Sequence, residues 1–173
     1  VAENKNTLAD IIRDLKEYTD KNPDVIKVTK RILDPSKGPE EVKHIPVHEV
    51  TKIMDFIVIE THGGSWSYNI TNIQAMADNI IISISMRITD KNNVTSTRSG
   101  IGACNIYGRG KQMSTDSLDN ASKIALSNAL KKASGNFELG ISMWDRDDNR
   151  DPEVIETNQP KIPNGGAVIK KAQ

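Results

Sequence analysis

Along the chain the spacing of apolar residues changes from a helical repeat to strict alternation and back again. Leu8, Ile11, Ile12, Leu15 and Tyr18 recur three and four apart. That spacing predicts an amphipathic helix capped by Asn6 or Thr7. Asn22-Pro23 reads as a cap followed by proline at the first helical position, so a second helix is expected through Val25, Ile26 and Thr29 towards Leu33. Asp34-Pro35 must stop it, and the stretch from Pro35 to Pro46 reads as a loop. Val47, Val50, Met54 and Ile57 give a third apolar face, broken by His62-Gly63-Gly64.

Beyond that break the period is two. Trp66, Tyr68 and Ile70 alternate with polar residues, predicting a strand to about Ala77. Ile80, Ile82, Ile84, Met86 and Ile88 alternate with Ile81, Ser83, Ser85, Arg87 and Thr89. After a turn at Asp90-Lys91-Asn92-Asn93, a third strand runs from Val94 to Ile101, and the short connections make an antiparallel meander. Ser114-Thr115-Asp116-Ser117 offers caps for a long helix from Leu118 to about Ser134, with Gly135-Asn136 at its end.

The expected fold class is α+β: an antiparallel β-β-β meander packed against a long α-helix, with N-terminal helices and a disordered C-terminal tail. Three segments follow. Residues 1–46 form an N-terminal helical segment, 47–144 the core, and 145–173 a tail that is acidic and then rich in Pro and Gly. A length of 173 residues suits one core rather than two.

Composition narrows the function. Formal net charge is zero, so any anion-binding surface must be local. Between Trp66 and Trp144, Arg87, Lys91, Arg98, Arg109, Lys111, Lys123, Lys131 and Lys132 outnumber Asp78, Asp90, Asp116, Asp119 and Glu138. Cys104 is the only cysteine, which excludes an intrachain disulfide and fits an intracellular, reducing compartment, the bacterial cytoplasm for a phage or bacterial source. Apolar runs such as Ile57-Val58-Ile59 are too short to span a bilayer, and no signal-peptide pattern opens the chain. No membrane partner is expected.

The long helix carries the chemistry. Leu118, Ala121, Ala125, Ala129 and Ala133 fall on one stripe, and small alanines let a helix lie close to a sheet. Lys123, Ser127 and Lys131 follow one another at i, i+4 and i+8 on another face, with Lys132 adjacent. Phosphates of a single strand can run along such a row. Taken alone, lysines on the outer face of a helix are more often only solvated surface.

A resemblance changes that balance. The segment from Leu118 to Ala125, continuing through Asn128-Ala129-Leu130-Lys131-Lys132-Ala133 to Phe137, resembles the signature helix of the Rad52 superfamily of single-strand annealing proteins. Gly64-Ser65-Trp66-Ser67-Tyr68 is similar to the family's Gly-Trp opening of the first strand. Ser99-Gly100-Ile101-Gly102 is similar to its Gly-x-Gly strand end. The resemblance covers roughly His48 to Trp144.

It implies a β-β-β-α core, subunits assembled into a ring or helical filament, and a cationic groove that holds the backbone of single-stranded DNA while its bases stay exposed. Annealing of complementary strands in recombination and repair then needs no ATP, no cofactor, no metal and no catalytic residue. Lys131 and Lys132 match the family's paired basic contact, and Lys123 a basic helix position. Lys111 lies near a second, outer contact. Arg98, Arg109, Lys52 and Arg87 complete the expected set, with Arg98 and Arg87 both read as outward-facing. The chain also departs from the pattern. Gly135 replaces a further basic residue, and Glu49 stands where an arginine is common, although Lys52 is one turn away. Lys132 in place of arginine gives up bidentate phosphate geometry.

Other residues invite weaker readings. Trp66 and Tyr68 can stack on bases, but their alternation favours core packing. Asp145, Asp147, Asn149, Asp151, Glu153 and Glu156 have the spacing of a calcium loop, but Arg150 replaces its glycine and Pro152 its strand-like position. His44, His48, His62 and Cys104 form no recognisable catalytic set. Two alternatives accompany the annealing reading. One is an interaction module whose tail docks a single-strand-binding protein or recombinase. The other is a metal-dependent nuclease using the acidic tail.

Overall fold

The structure is a computed structural model, describing residues 6–31, 36, 38–107 and 115–141. The tail from 145 to 173, the calcium-like spacing within it, and the loop carrying Arg109 and Lys111 lie outside the described residues.

Helix α1 spans Leu8–Lys21. Of the two expected caps it uses Thr7, in a reciprocal box: the Asp10 backbone N–H donates to Thr7 Oγ1 and the Thr7 N–H to Asp10 Oδ2. Ile11 and Leu15 are fully buried. The second N-terminal helix does not form. Asn22 turns its amide back onto the Tyr18 carbonyl, closing α1 instead of capping a new helix. Pro23–Val25 makes a single 3-10 turn. The chain then extends as β1, Lys27–Arg31, antiparallel to β2, Glu40–His44, within what the sequence suggests is loop. Val25, Ile26, Val28 and Thr29 are β-branched, and the register sets Lys30 opposite Glu41 and Arg31 opposite Glu40. Backbone pairing with β2 and β propensity outweigh a helical spacing read from four residues.

Helix α2 spans Val47–Met54 and continues as a π-helical stretch over Asp55–Thr61. Strand β3, Ser65–Met76, pairs with β4, Asn79–Thr89, which pairs with β5, Thr95–Asn105. β5 runs through Gly100 and Gly102 rather than ending there, and one extra residue in β3, Thr71, makes a bulge. Helix α3, Thr115–Gly135, covers β5 and β4 but not β3. Ile80, Ile82, Ile84, Met86 and Ile88 are buried beneath it together with Ala121, Ala125, Ala129, Ala133 and Phe137.

The helix lies against β5 at backbone distance. A Cβ on Gly102 would overlap the Ala125 carbonyl and lie 2.5 Å from Ala129 N. One on Gly100 would overlap the Ala129 carbonyl and lie 2.7 Å from Ala133 N. The spacings agree: two strand residues span about 7 Å and four helical residues about 6 Å. Asn128 and Asn136 extend the match, donating to the Ala103 and Ser99 carbonyls on the free edge of β5.

Asp90 joins the two ends of the fold. It is 3% exposed and accepts backbone N–H bonds from Asn92, Val94 and, across the molecule, Leu8. Burial raises the carboxyl pKa, but the donors from Val94, Asn92 and Leu8 together outweigh it and leave the pKa below its ordinary value. Among the described residues no helix is long and apolar enough to cross a membrane.

Gly102→Ala is expected to lift α3 from β5 and cost on the order of 3 kcal/mol in urea unfolding. Gly135→Ala, with no atom near its new Cβ, should change stability by less than about 1 kcal/mol. The depressed Asp90 carboxyl stabilises the fold fully above the unfolded value of about 3.9. That contribution is lost as pH falls through the lower, folded value. Asp90→Asn should therefore lower the melting temperature at neutral pH and reduce the loss of stability on acidification, as followed by circular dichroism.

Candidate nucleic-acid interface

Because the alanine stripe is pressed on Gly100 and Gly102, the rotation of α3 about its axis is fixed, and so is the direction of each lysine. Asn128, Lys132 and Asn136 are successive at i, i+4 and i+8. The two asparagines clasp the β5 edge, so Lys132 stands between them above Ile101 on an exposed position. No acidic side chain lies within ion-pair distance of Lys132 among the described residues. Lys131 is half-buried and lies one residue back, towards the end of β2 and the start of α2. Both lysines sit near the C-terminal end of the helix, where their charge is also favoured by the helix dipole.

Two concavities meet at this pair. An open cleft of about 600 Å³ runs along the β5 edge, lined by Ser99, Gly100, Ile101, Gly135 and Asn136 with the two lysines. On the other flank lies a smaller pocket of about 120 Å³, where His44, Ile45, Val50, Ser134 and Leu139 meet the same two lysines. Gly135, where the resemblance leads to an expected further basic residue, contributes no side chain to this cleft.

The remaining expected contacts are dispersed. Lys123 is two turns away on α3 and paired with Asp119 at 2.5 Å. Lys52 is paired with Glu49 at 3.1 Å, and this ammonium holds the Glu49 carboxyl below its ordinary value against the opposing effect of burial. Arg87 and Arg98 do not share a surface. Arg87 is exposed on the face of β4 turned away from α3, opposite Thr97. Arg98, the next residue along β5, points to the helix side, opposite Met86. There its Nε donates to the Asn136 carbonyl at 3.3 Å and its guanidinium lies 5.5 Å from the Phe137 ring centre. Arg98 thus holds the end of α3, a structural task that the sequence did not suggest.

Trp66 is half-buried and packs against the core as expected, whereas Tyr68 does not. They stack on each other at 6.5 Å, Trp66 donates to Asp55, and Tyr68 is exposed. Their face of β3 lies beyond the reach of α3. The hairpin of β1 and β2 brings further cations that the sequence reading missed: Lys27, Lys30 and Lys43 are exposed on it, and His44 reaches the smaller pocket. The signal was present in the β-branched run from Val25 to Thr29.

Residues 12–162 match the family described as Rad52/22 family double-strand break repair protein. The chain belongs to the Rad52/22 family. No curated protein is significantly similar to it in sequence. Rad52/22 membership accounts for the β-β-β-α core and implies a role in double-strand break repair. The match begins within α1, and its span includes the β1–β2 hairpin.

Proposed function

We propose that the chain is a single-strand annealing protein that binds single-stranded DNA along Lys131 and Lys132 without ATP and works as a ring or helical filament. The observation that carries this reading is the placement of two adjacent lysines on the rim of an open cleft in a chain whose net charge is zero, with no acidic side chain in ion-pair distance of Lys132 among the described residues. An electrostatic mechanism follows. Ammonium groups displace counterions from phosphates and offset strand–strand repulsion, so complementary bases can sample pairing. Nothing in this requires a bound nucleotide. Lys123 extends the track once it exchanges Asp119 for phosphate, since an exposed ion pair of this kind is worth little. Lys111 and Arg109, which lie outside the described residues, are further candidates for this track on the family resemblance alone. Lys52 and Arg87 contribute less, Lys52 because Glu49 competes for it.

Assembly is supported by apolar surface on opposite edges of one sheet. Tyr68, Ile70 and Ile73 lie on the helix side of β3, and Ile73 is 59% exposed. At the other edge, Ile101 is 54% and Ile124 50% exposed beside the asparagine row. An interface that joins unlike edges is heterologous and generates rings or filaments. It also places each cleft at a subunit boundary, so successive clefts form one track.

Lys131→Ala with Lys132→Ala is expected to weaken binding to labelled oligo(dT) and to reduce the slope of log affinity against log salt by about 1.4, for two lost phosphate contacts. The particle size in light scattering should not change. An unaltered slope and annealing rate would remove these lysines from the site. Ile73→Asp should reduce the large assembly to small species in the same measurement; an unchanged mass would place the interface elsewhere.

A further inference from the structure

The smaller pocket has properties that phosphate binding leaves unused. Ile45, Val50 and Leu139 give it apolar walls, and its volume of about 120 Å³ approaches that of engineered cavities that hold one benzene ring, roughly 150 Å³. His44 lines it, and His44 Nδ1 is buried with no hydrogen-bond partner among the described residues. An unmet polar atom in an apolar enclosure costs free energy unless a ligand or water satisfies it. Lys131 and Lys132 line the same pocket, so whatever enters it has cationic groups beside it.

We propose that this pocket takes one pyrimidine base of the strand whose phosphates lie on Lys131 and Lys132. The inference rests on the DNA-binding reading and adds a base contact to it. A nucleotide presents a planar ring and an anion a few bonds apart, matching a flat apolar slot with ammonium groups at its edge. Thymine and cytosine both carry polar atoms on the ring edge that can pair with His44 Nδ1, in either tautomer, once the imidazole turns that covered atom towards the pocket. A purine is too large for the volume. Water is a poorer occupant, because three of the walls offer it no partner. One base held per subunit would fix the register of the strand, while the nucleotides between anchors remain free to pair.

The test compares fluorescence anisotropy of the full chain with labelled oligo(dT), oligo(dA) and an abasic oligomer of the same length. For the parent, oligo(dT) should bind at least about fivefold more tightly than the abasic strand, the lower end of what one held base is worth. Oligo(dA) should resemble the abasic strand. Val50→Phe, which fills the pocket, should bind all three alike and at the parent's abasic level. His44→Leu, which removes the polar atom and keeps the bulk, should reduce the preference and serves if the first variant does not fold by circular dichroism. Equal binding of the parent to oligo(dT) and abasic strands overturns the pocket while leaving the phosphate track standing. A preference that persists in the folded variants also overturns it, since the base contact then lies elsewhere, for example on Tyr68. If the parent binds no strand in dilute salt, both readings fail together.

Discussion

Backbone-to-backbone contact between α3 and β5 is the constraint from which the candidate site follows. Helices usually rest on sheets through side chains, and some rotation about the helix axis is then tolerated. Here Gly100 and Gly102 remove the spacer on one side, and Ala125, Ala129 and Ala133 nearly remove it on the other. The asparagines at 128 and 136 then lock the helix along its length by taking two edge carbonyls of β5. With rotation and translation both fixed, the direction of Lys131 and Lys132 is set by the packing, although neither residue packs in the core.

This explains why the core was legible in the sequence and the site only in part. The alternation from Ile80 to Ile88 and the alanine stripe each encode a buried face directly, because burial selects residue type position by position. Lysine identity carries no such information. Sequence spacing puts Lys123 and Lys131 on one row, yet in the folded chain Lys123 meets Asp119 while Lys132 stands clear of any acid among the described residues. Arg98 and Arg87 make the same point. Strand parity separates them onto opposite faces, and the contact of Arg98 with Phe137 depends on where the end of α3 happens to arrive.

The β1–β2 hairpin was missed for a different reason. Its strands are five residues each and half-exposed, so neither contains enough periods of a repeat to distinguish two from 3.6. Long-range pairing decided the matter. Asn22 illustrates how a local signal misleads: the residue is a helix cap by type, but the carbonyl it serves belongs to the helix before it. The same hairpin supplies His44, so a local misreading of structure also concealed one wall of a pocket.

The bulge at Thr71 gives β3 a property that its composition hides. Ile70 and Ile73 are three positions apart, an odd interval that in a regular strand would place them back to back. The extra residue restores parity, and both side chains join Tyr68 on one surface. Loss of Thr71 alone would be silent for the face that β3 presents, since Ile70 and Ile73 would then stand two apart with the same partners on β4. Loss of a neighbouring residue with the bulge retained would instead act as a conformational frameshift and turn the side chains on one side of the gap over.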